Sequence, residues 1–203
     1  MSEYFCSVND NFIWFPVPKV ATQSFEKTCN KSGYDLSVSK YQSLPEGFDR
    51  LFSFIIVRNP WERLVSAFND KVVKQWKVEQ NNKWRIKFYV KYKDMDFKEF
   101  VMSLDPETIQ MENHIKPVVS LAPLKNITFV GRLETMWSDC DFIFKKIGVK
   151  YNKMEYTNST TSWTPQTPYC KYDDKYDDET IDKVYELYQQ DIDLLKYEFK
   201  EPS

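Results

Sequence analysis

Residues 51–57, LFSFIIV, form an unbroken apolar run that is closed at once by Arg58-Asn59-Pro60. So short and uniform a run fits a strand covered on both faces, as in a parallel sheet between helices. A helix start follows it. Asn59 can cap, Pro60 suits the first helical position, and Glu62 stands at capping-box spacing. Trp61, Leu64, Val65, Phe68 and Val72 then fall on one helical stripe. Arg58 is thereby placed at the carboxyl end of a buried strand, beside a helix N-terminus. In open α/β sheets that edge is where ligands bind.

The remaining chain repeats the alternation. FIWF, 12–15, reads as a short strand ended by Pro16 and Pro18, and ATQSFEKTCNKSG, 21–33, as a helix stopped by Gly33. Residues 34–50 read as loop and 94–104 as helix, with another helix start at Asp105-Pro106-Glu107. ITFVG, 127–131, is a third strand, followed by a helix from about Glu134 to Ile147 that ends at Gly148. After a polar stretch, 152–168, Ile181, Val184, Tyr185, Tyr188, Ile192 and Leu195 recur at helical spacing. Strand and helix alternating in this way predict an α/β fold, a mainly parallel central sheet flanked by helices in three layers, within a single domain spanning 1–203.

Bulk properties narrow the function. A net charge of −2 gives no general attraction to nucleic acid or anionic membrane. Residues 71–93 are locally basic, with eight Lys or Arg against Glu79 alone, and Trp76, Trp84, Phe88, Tyr89 and Tyr92 interleave with them. That texture suits either a solvated helix with its rings in the core or a surface for an anionic polysaccharide. No apolar run approaches the roughly 18–20 residues a membrane span requires. The N-terminal MSEYFCSVND lacks a signal-peptide layout. Cys6, Cys29, Cys140 and Cys170 form no CxxC pair, so free thiols, no metal and a cytoplasmic location are expected.

Two turns look built for anions. PVPKVATQSF, 16–25, joins the first strand to the first helix and places Lys19 in the turn. The N–H groups of Val20, Ala21, Thr22, Gln23 and Ser24 follow, where a helix start carries partial positive charge. The GxxxxGK[ST] signature of nucleotide triphosphate loops is absent. The second turn is Arg58, with a guanidinium suited to bidentate phosphate contact and Ser66 two helical turns on. Arg63 on the same helix reads either as a ligand contact or as a surface ion-pair residue.

PKVATQSF and FIIVRNPWERLVSAF together resemble the two nucleotide-binding motifs of sulfotransferases that use 3′-phosphoadenosine 5′-phosphosulfate. The carbohydrate branch, which includes chondroitin and dermatan 4-O-sulfotransferases, is the more similar. Its second motif, approximately F-x-R-[ND]-P-x-x-R-x-x-S-A-[FY], is matched from Phe54 or Ile56 through Phe68. HIKP (114–117), FVGRLETMWSDCDFI (129–143) and YELYQQDIDLLKYEF (185–199) are similar to further blocks of that branch, in order.

The resemblance implies a P-loop-like sulfotransferase fold. It implies that Lys19 and the 20–24 backbone hold the 5′-phosphosulfate, that Arg58 and Ser66 hold the 3′-phosphate, and that Gly131 and Arg132 lie beside the nucleotide. Gln23 stands where many relatives have Thr, which leaves Thr22 or Ser24 to supply a hydroxyl. The implied reaction moves a sulfuryl group to an acceptor hydroxyl, that of a carbohydrate in this branch. Lys19 would stabilise the leaving phosphate and His114, the single histidine, would take the acceptor proton, with Glu112 and Glu26 in reserve. The alternatives are a small nucleotide kinase with a degenerate P-loop and a glycan-binding relative without turnover.

Overall fold

A computed structural model describes residues 4–8, 12–44, 46–73, 83–150 and 172–199. Trp76, the polar stretch 152–168 and Cys170 lie outside the described residues. The chain divides into two compact units, Met1–Arg58 with Val118–Cys170, and Asn59–Pro117 with Lys171–Ser203.

The first unit holds one five-stranded sheet. Its strands are β1 (Tyr4–Val8), β2 (Phe12–Phe15), β3 (Ser39–Tyr41), β4 (Phe52–Val57) and β5 (Phe129–Arg132), in the spatial order β3-β1-β2-β4-β5. The three strands read from the sequence form its parallel part: β2 pairs with β4 and β4 with β5. The sequence reading did not foresee β1 and β3, which add antiparallel pairings beside β2 and make the sheet mixed.

Rings set how helices lie on one face. Register places Phe12 opposite Phe52, and both Trp14 and Phe129 opposite Phe54, so these side chains share a face. Phe25 of helix α1 (Thr22–Lys31) meets Trp14 and Phe54 at centroid distances of 5.3 and 5.7 Å. It also stacks on Phe144 of helix α6 (Met136–Ile147) at 5.1 Å. Phe142 of α6 packs on Phe129 at 4.5 Å. The opposite face of β2 and β4 carries Ile13, Phe15, Ile55 and Val57, all buried, so both faces of these strands are covered.

Termini follow the expected chemistry. Gly33 and Gly148 take φ of 83° and 79° just past α1 and α6, values that L side chains rarely adopt.

The second unit is helical: α2 (Pro60–Phe68) continued by a π-helical turn (Asn69–Val73), α3 (Lys83–Tyr92), α4 (Phe97–Met102), α5 (Pro106–Met111) and α7 (Asp178–Leu195). Asn59 caps α2 by accepting from the Trp61 amide at 3.1 Å, and its amide nitrogen donates to the Glu198 carbonyl at 2.8 Å. Asp105 caps α5 through the Thr108 amide at 2.7 Å. Capping boxes open α4 (Asp96, Glu99) and α7 (Asp177, Thr180). Phe68 packs against Phe97 and Phe100 at 5.3 and 5.2 Å, while Trp61 meets Phe199 at 5.8 Å and donates from Nε1 to the Ile181 carbonyl.

Candidate functional site

In the first unit the ends of the three parallel strands share one edge. Register carries Phe15 opposite Ile55 and Val57 opposite Arg132, and the Leu133 amide extends the ladder to the Val57 carbonyl at 2.8 Å. Lys19 lies four residues past β2, Arg58 one past β4, and Arg132 ends β5. Three half-buried cationic residues thus stand on the carboxyl edge of one sheet, where ligands of open α/β folds bind.

The Lys19 turn is tightly made. Lys19 and Ala21 both adopt left-handed backbone, φ 74° and 59°. A left-handed non-glycine residue costs about 1–2 kcal/mol, so the surroundings must hold it. The Thr22 hydroxyl donates to the Val17 carbonyl, and the Ser24 and Phe25 amides donate to the Ala21 carbonyl at 2.9 and 3.1 Å. Arg58 Nη1 donates to the Lys19 carbonyl at 3.3 Å. Among the described residues no side chain caps α1, and its first turn holds no acidic residue. A helix start without a side-chain cap or a carboxylate in its own first turn suits a phosphate or sulfate. Val20 and Ser24 are buried, and the polar group Val20 can offer a ligand is its main chain.

Gly131 has a packing reason of its own. A Cβ there would meet Asp139 Cβ and a Phe129 ring carbon, each at 3.3 Å. Asp139 in turn fixes the strand end: it accepts from the Arg132 amide at 2.7 Å and from the Thr135 hydroxyl at 2.6 Å. The sequence reading quoted Asp139 within a similar block without giving it this role.

The remaining residues belong to the second unit. On α2, Pro60 to Val65, Ala67 and Phe68 are all buried, and Ser66 is the one position of the helix left partly accessible. Arg63 is not a surface ion-pair residue. It is 2% exposed and donates to the Lys116 carbonyl at 2.8 Å and the Asn113 carbonyl at 3.2 Å. The buried Tyr188 hydroxyl donates to the Ile115 carbonyl at 2.5 Å, from a point where α7 departs from helical geometry (φ −117°, ψ 18°). The loop bearing His114 is therefore held by side-chain donors to the carbonyls of Asn113, Ile115 and Lys116. His114 Nδ1 lies against Glu112 Oε1. The sequence reading missed the roles of Arg63 and Tyr188, although both sit in the blocks that carry the resemblance. Glu26, the other reserve base, is on α1 in the first unit, where burial pushes its carboxyl upward.

Among the described residues, no group of three or more His, Cys, Asp or Glu could hold a metal ion, and no helix is long and apolar enough to cross a membrane.

A mixed sheet flanked by helices, with a helix start after one parallel strand and an arginine after the next, defines an open α/β fold with an anion-suited carboxyl edge. The model of the sulfotransferase family matches residues 2–198, and the chain belongs to that family. Carbohydrate sulfotransferase 11 of Rattus norvegicus is 28% identical over 192 residues, covering 83% of this chain and 53% of its own. Carbohydrate sulfotransferase 10 of Xenopus laevis is 28% identical over 202 residues, with the same coverage. The Gallus gallus form of carbohydrate sulfotransferase 10 is 34% identical over 117 residues, 48% of this chain and 33% of its own. The chain spans about half the length of the first two relatives. No solved structure gives a significant match.

Proposed function

We propose that this chain transfers a sulfuryl group from 3′-phosphoadenosine 5′-phosphosulfate to a carbohydrate hydroxyl, as one catalytic domain. The observation that carries the reading is the hydrogen bond from Arg58 to the Lys19 carbonyl, which ties two anion-suited turns together within one unit. A ligand with a phosphosulfate at one end and a phosphate at the other matches two cationic turns better than a single triphosphate does.

Lys19 and the amides of residues 20–24 would take the 5′ group, and Arg58 with Ser66 the 3′-phosphate. Gly131 and Arg132 would lie on the nucleotide side. The bound nucleotide supplies an activated sulfuryl group. The protein's work is to align the acceptor oxygen, to put positive charge where the leaving phosphate gains negative charge, and to accept the acceptor proton. Lys19 serves the second task and His114 the third.

The test is transfer of labelled sulfate from the nucleotide to a panel of carbohydrate hydroxyl acceptors, with Lys19→Ala in parallel. Transfer that falls about 10²–10³-fold in the variant is expected. No transfer to any carbohydrate by the folded, nucleotide-binding protein contradicts the reading.

A further inference from the structure

We propose that Glu112 is the positioning residue for His114, fixing the ring so that Nε2 presents its lone pair to the acceptor hydroxyl. This rests on the reading of His114 as the base.

Glu112 ends α5 by turning out of helical geometry, with φ −123° and ψ 114°. Its carbonyl accepts from the Ile115 and Lys116 amides, both at 2.9 Å, which closes a compact turn around His114. Within that turn a single carboxylate oxygen, Oε1, faces two donors: the His114 amide at 3.2 Å and the His114 ring at Nδ1. An ionised carboxylate only accepts, so Nδ1 carries the proton in this contact. The neutral ring then holds its lone pair on Nε2.

The pair is sheltered. The two side chains are 18% and 15% exposed for His114 and Glu112. Burial alone would push the Glu112 carboxyl up. Its bond to the His114 ring, the charge of that ring when protonated, its bond to the His114 amide and the nearby Lys71 charge outweigh this and hold it below the ordinary value. Among the described residues, Lys71 on the π-helical turn lies near Glu112, Arg63 on α2 and Tyr188 on α7 bind the loop carbonyls, and Asp191 lies near Tyr188. Arg63 and Tyr188 act on the main chain, so the loop is fixed by them and the ring by Glu112.

In the reaction, the acceptor oxygen bonds to sulfur as the bond from sulfur to the bridging phosphate oxygen breaks. The electron pair of that bond stays on the phosphate oxygen. The acceptor proton passes to Nε2. The imidazolium so formed keeps its Nδ1 proton and is stabilised by ionised Glu112, which itself takes no proton.

His114 is the single histidine of the chain, so ¹⁵N NMR of the ring reads it without ambiguity. The expected wild-type spectrum, above the ring's titration, has Nδ1 protonated and Nε2 unprotonated. Glu112→Gln is expected to move the ring titration to lower pH, because a charge that favours the imidazolium is gone. The opposite tautomer in the wild type, or a titration unmoved by Glu112→Gln, overturns the proposal; the wild-type spectrum decides even if the variant does not fold. In turnover, Glu112→Gln is expected to lower kcat roughly 10–100-fold with nucleotide KM unchanged. It is expected to add nothing in a His114→Ala background. Wild-type kcat in Glu112→Gln alongside a crippled His114→Ala removes the positioning role and leaves the base reading intact. Full turnover in His114→Ala removes both.

Discussion

Arg58 donates through Nη1 to the main-chain carbonyl of Lys19 at 3.3 Å, so the residue that leaves β4 braces the turn that leaves β2. The two turns are separated by 39 positions in the chain yet form one feature of the sheet edge. The contact uses one arm of a planar fork. Lysine at this position keeps the charge and loses the fork. Arg58→Lys is expected to weaken binding of 3′-phosphoadenosine 5′-phosphate about 10-fold, measured by calorimetry, with the fold intact by circular dichroism.

Ser66 offers the cleanest separation of binding from stability. It is the one residue of α2 that is not buried, so removing its hydroxyl disturbs no core contact. Ser66→Ala is expected to leave the melting temperature within about a degree. It should weaken nucleotide binding by roughly 1–2 kcal/mol, as a lost hydrogen bond to a charged phosphate does. Leu64→Ala, 1% exposed on the same helix, is expected to cost about 2–5 kcal/mol of stability instead. Thermal melts and titration of the two variants side by side check both statements.

At Gly131 the reverse is expected. A methyl group there would press on Asp139 and Phe129 at 3.3 Å, and Asp139 is the acceptor for the Arg132 amide. Gly131→Ala is expected to lose roughly 1–3 kcal/mol through overpacking. For a chain of this size that is a melting-temperature drop of about 2–12 °C in a thermal scan. An unchanged melting temperature would leave Gly131 without its packing role.

The parallel core was legible because its signals are local and strong. FIWF and LFSFIIV are short apolar runs bounded by proline or by polar residues, and Asn59-Pro60 is a helix start in composition and in structure. The antiparallel additions were not. β3 is three residues, SKY, with Ser39 and Lys40 exposed and Tyr41 half-buried, and nothing in its composition separates it from the loop around it. β1 is followed by Asn9-Asp10-Asn11, a turn-forming triplet that was available in the sequence and passed over. At the candidate site, the cationic residues could be read because charge beside a strand end is unusual. The restraint of the His114 loop could not. Arg63 and Tyr188 act on main-chain carbonyls 50 and 73 positions away, and no pattern in a single sequence encodes such pairings.

The buried thiols predict how stability responds to alkali. Cys6, Cys29 and Cys140 are buried free cysteines. Burial pushes Cys6 up to about 11, and Cys29 and Cys140 up to about 12, from an ordinary value of 9.0. In the unfolded chain these thiols ionise near 9.0, so between there and the folded values the unfolded state binds fewer protons. Their contribution is complete below pH 9 and is lost as pH rises through about 11–12. Melting temperature is expected to fall across that window, and less steeply in Cys140→Ala. A profile equally steep in the variant would show that the thiol carries none of the effect.

The most direct measurement is calorimetric titration of 3′-phosphoadenosine 5′-phosphate and of ATP into the wild-type chain and into Arg58→Ala. A cradle shared by the Lys19 and Arg58 turns predicts tighter binding of the bisphosphate than of ATP. It also predicts that Arg58→Ala weakens the bisphosphate by about 10–100-fold while ATP changes little. Equal affinity for the two nucleotides, or bisphosphate binding untouched by Arg58→Ala, would contradict it.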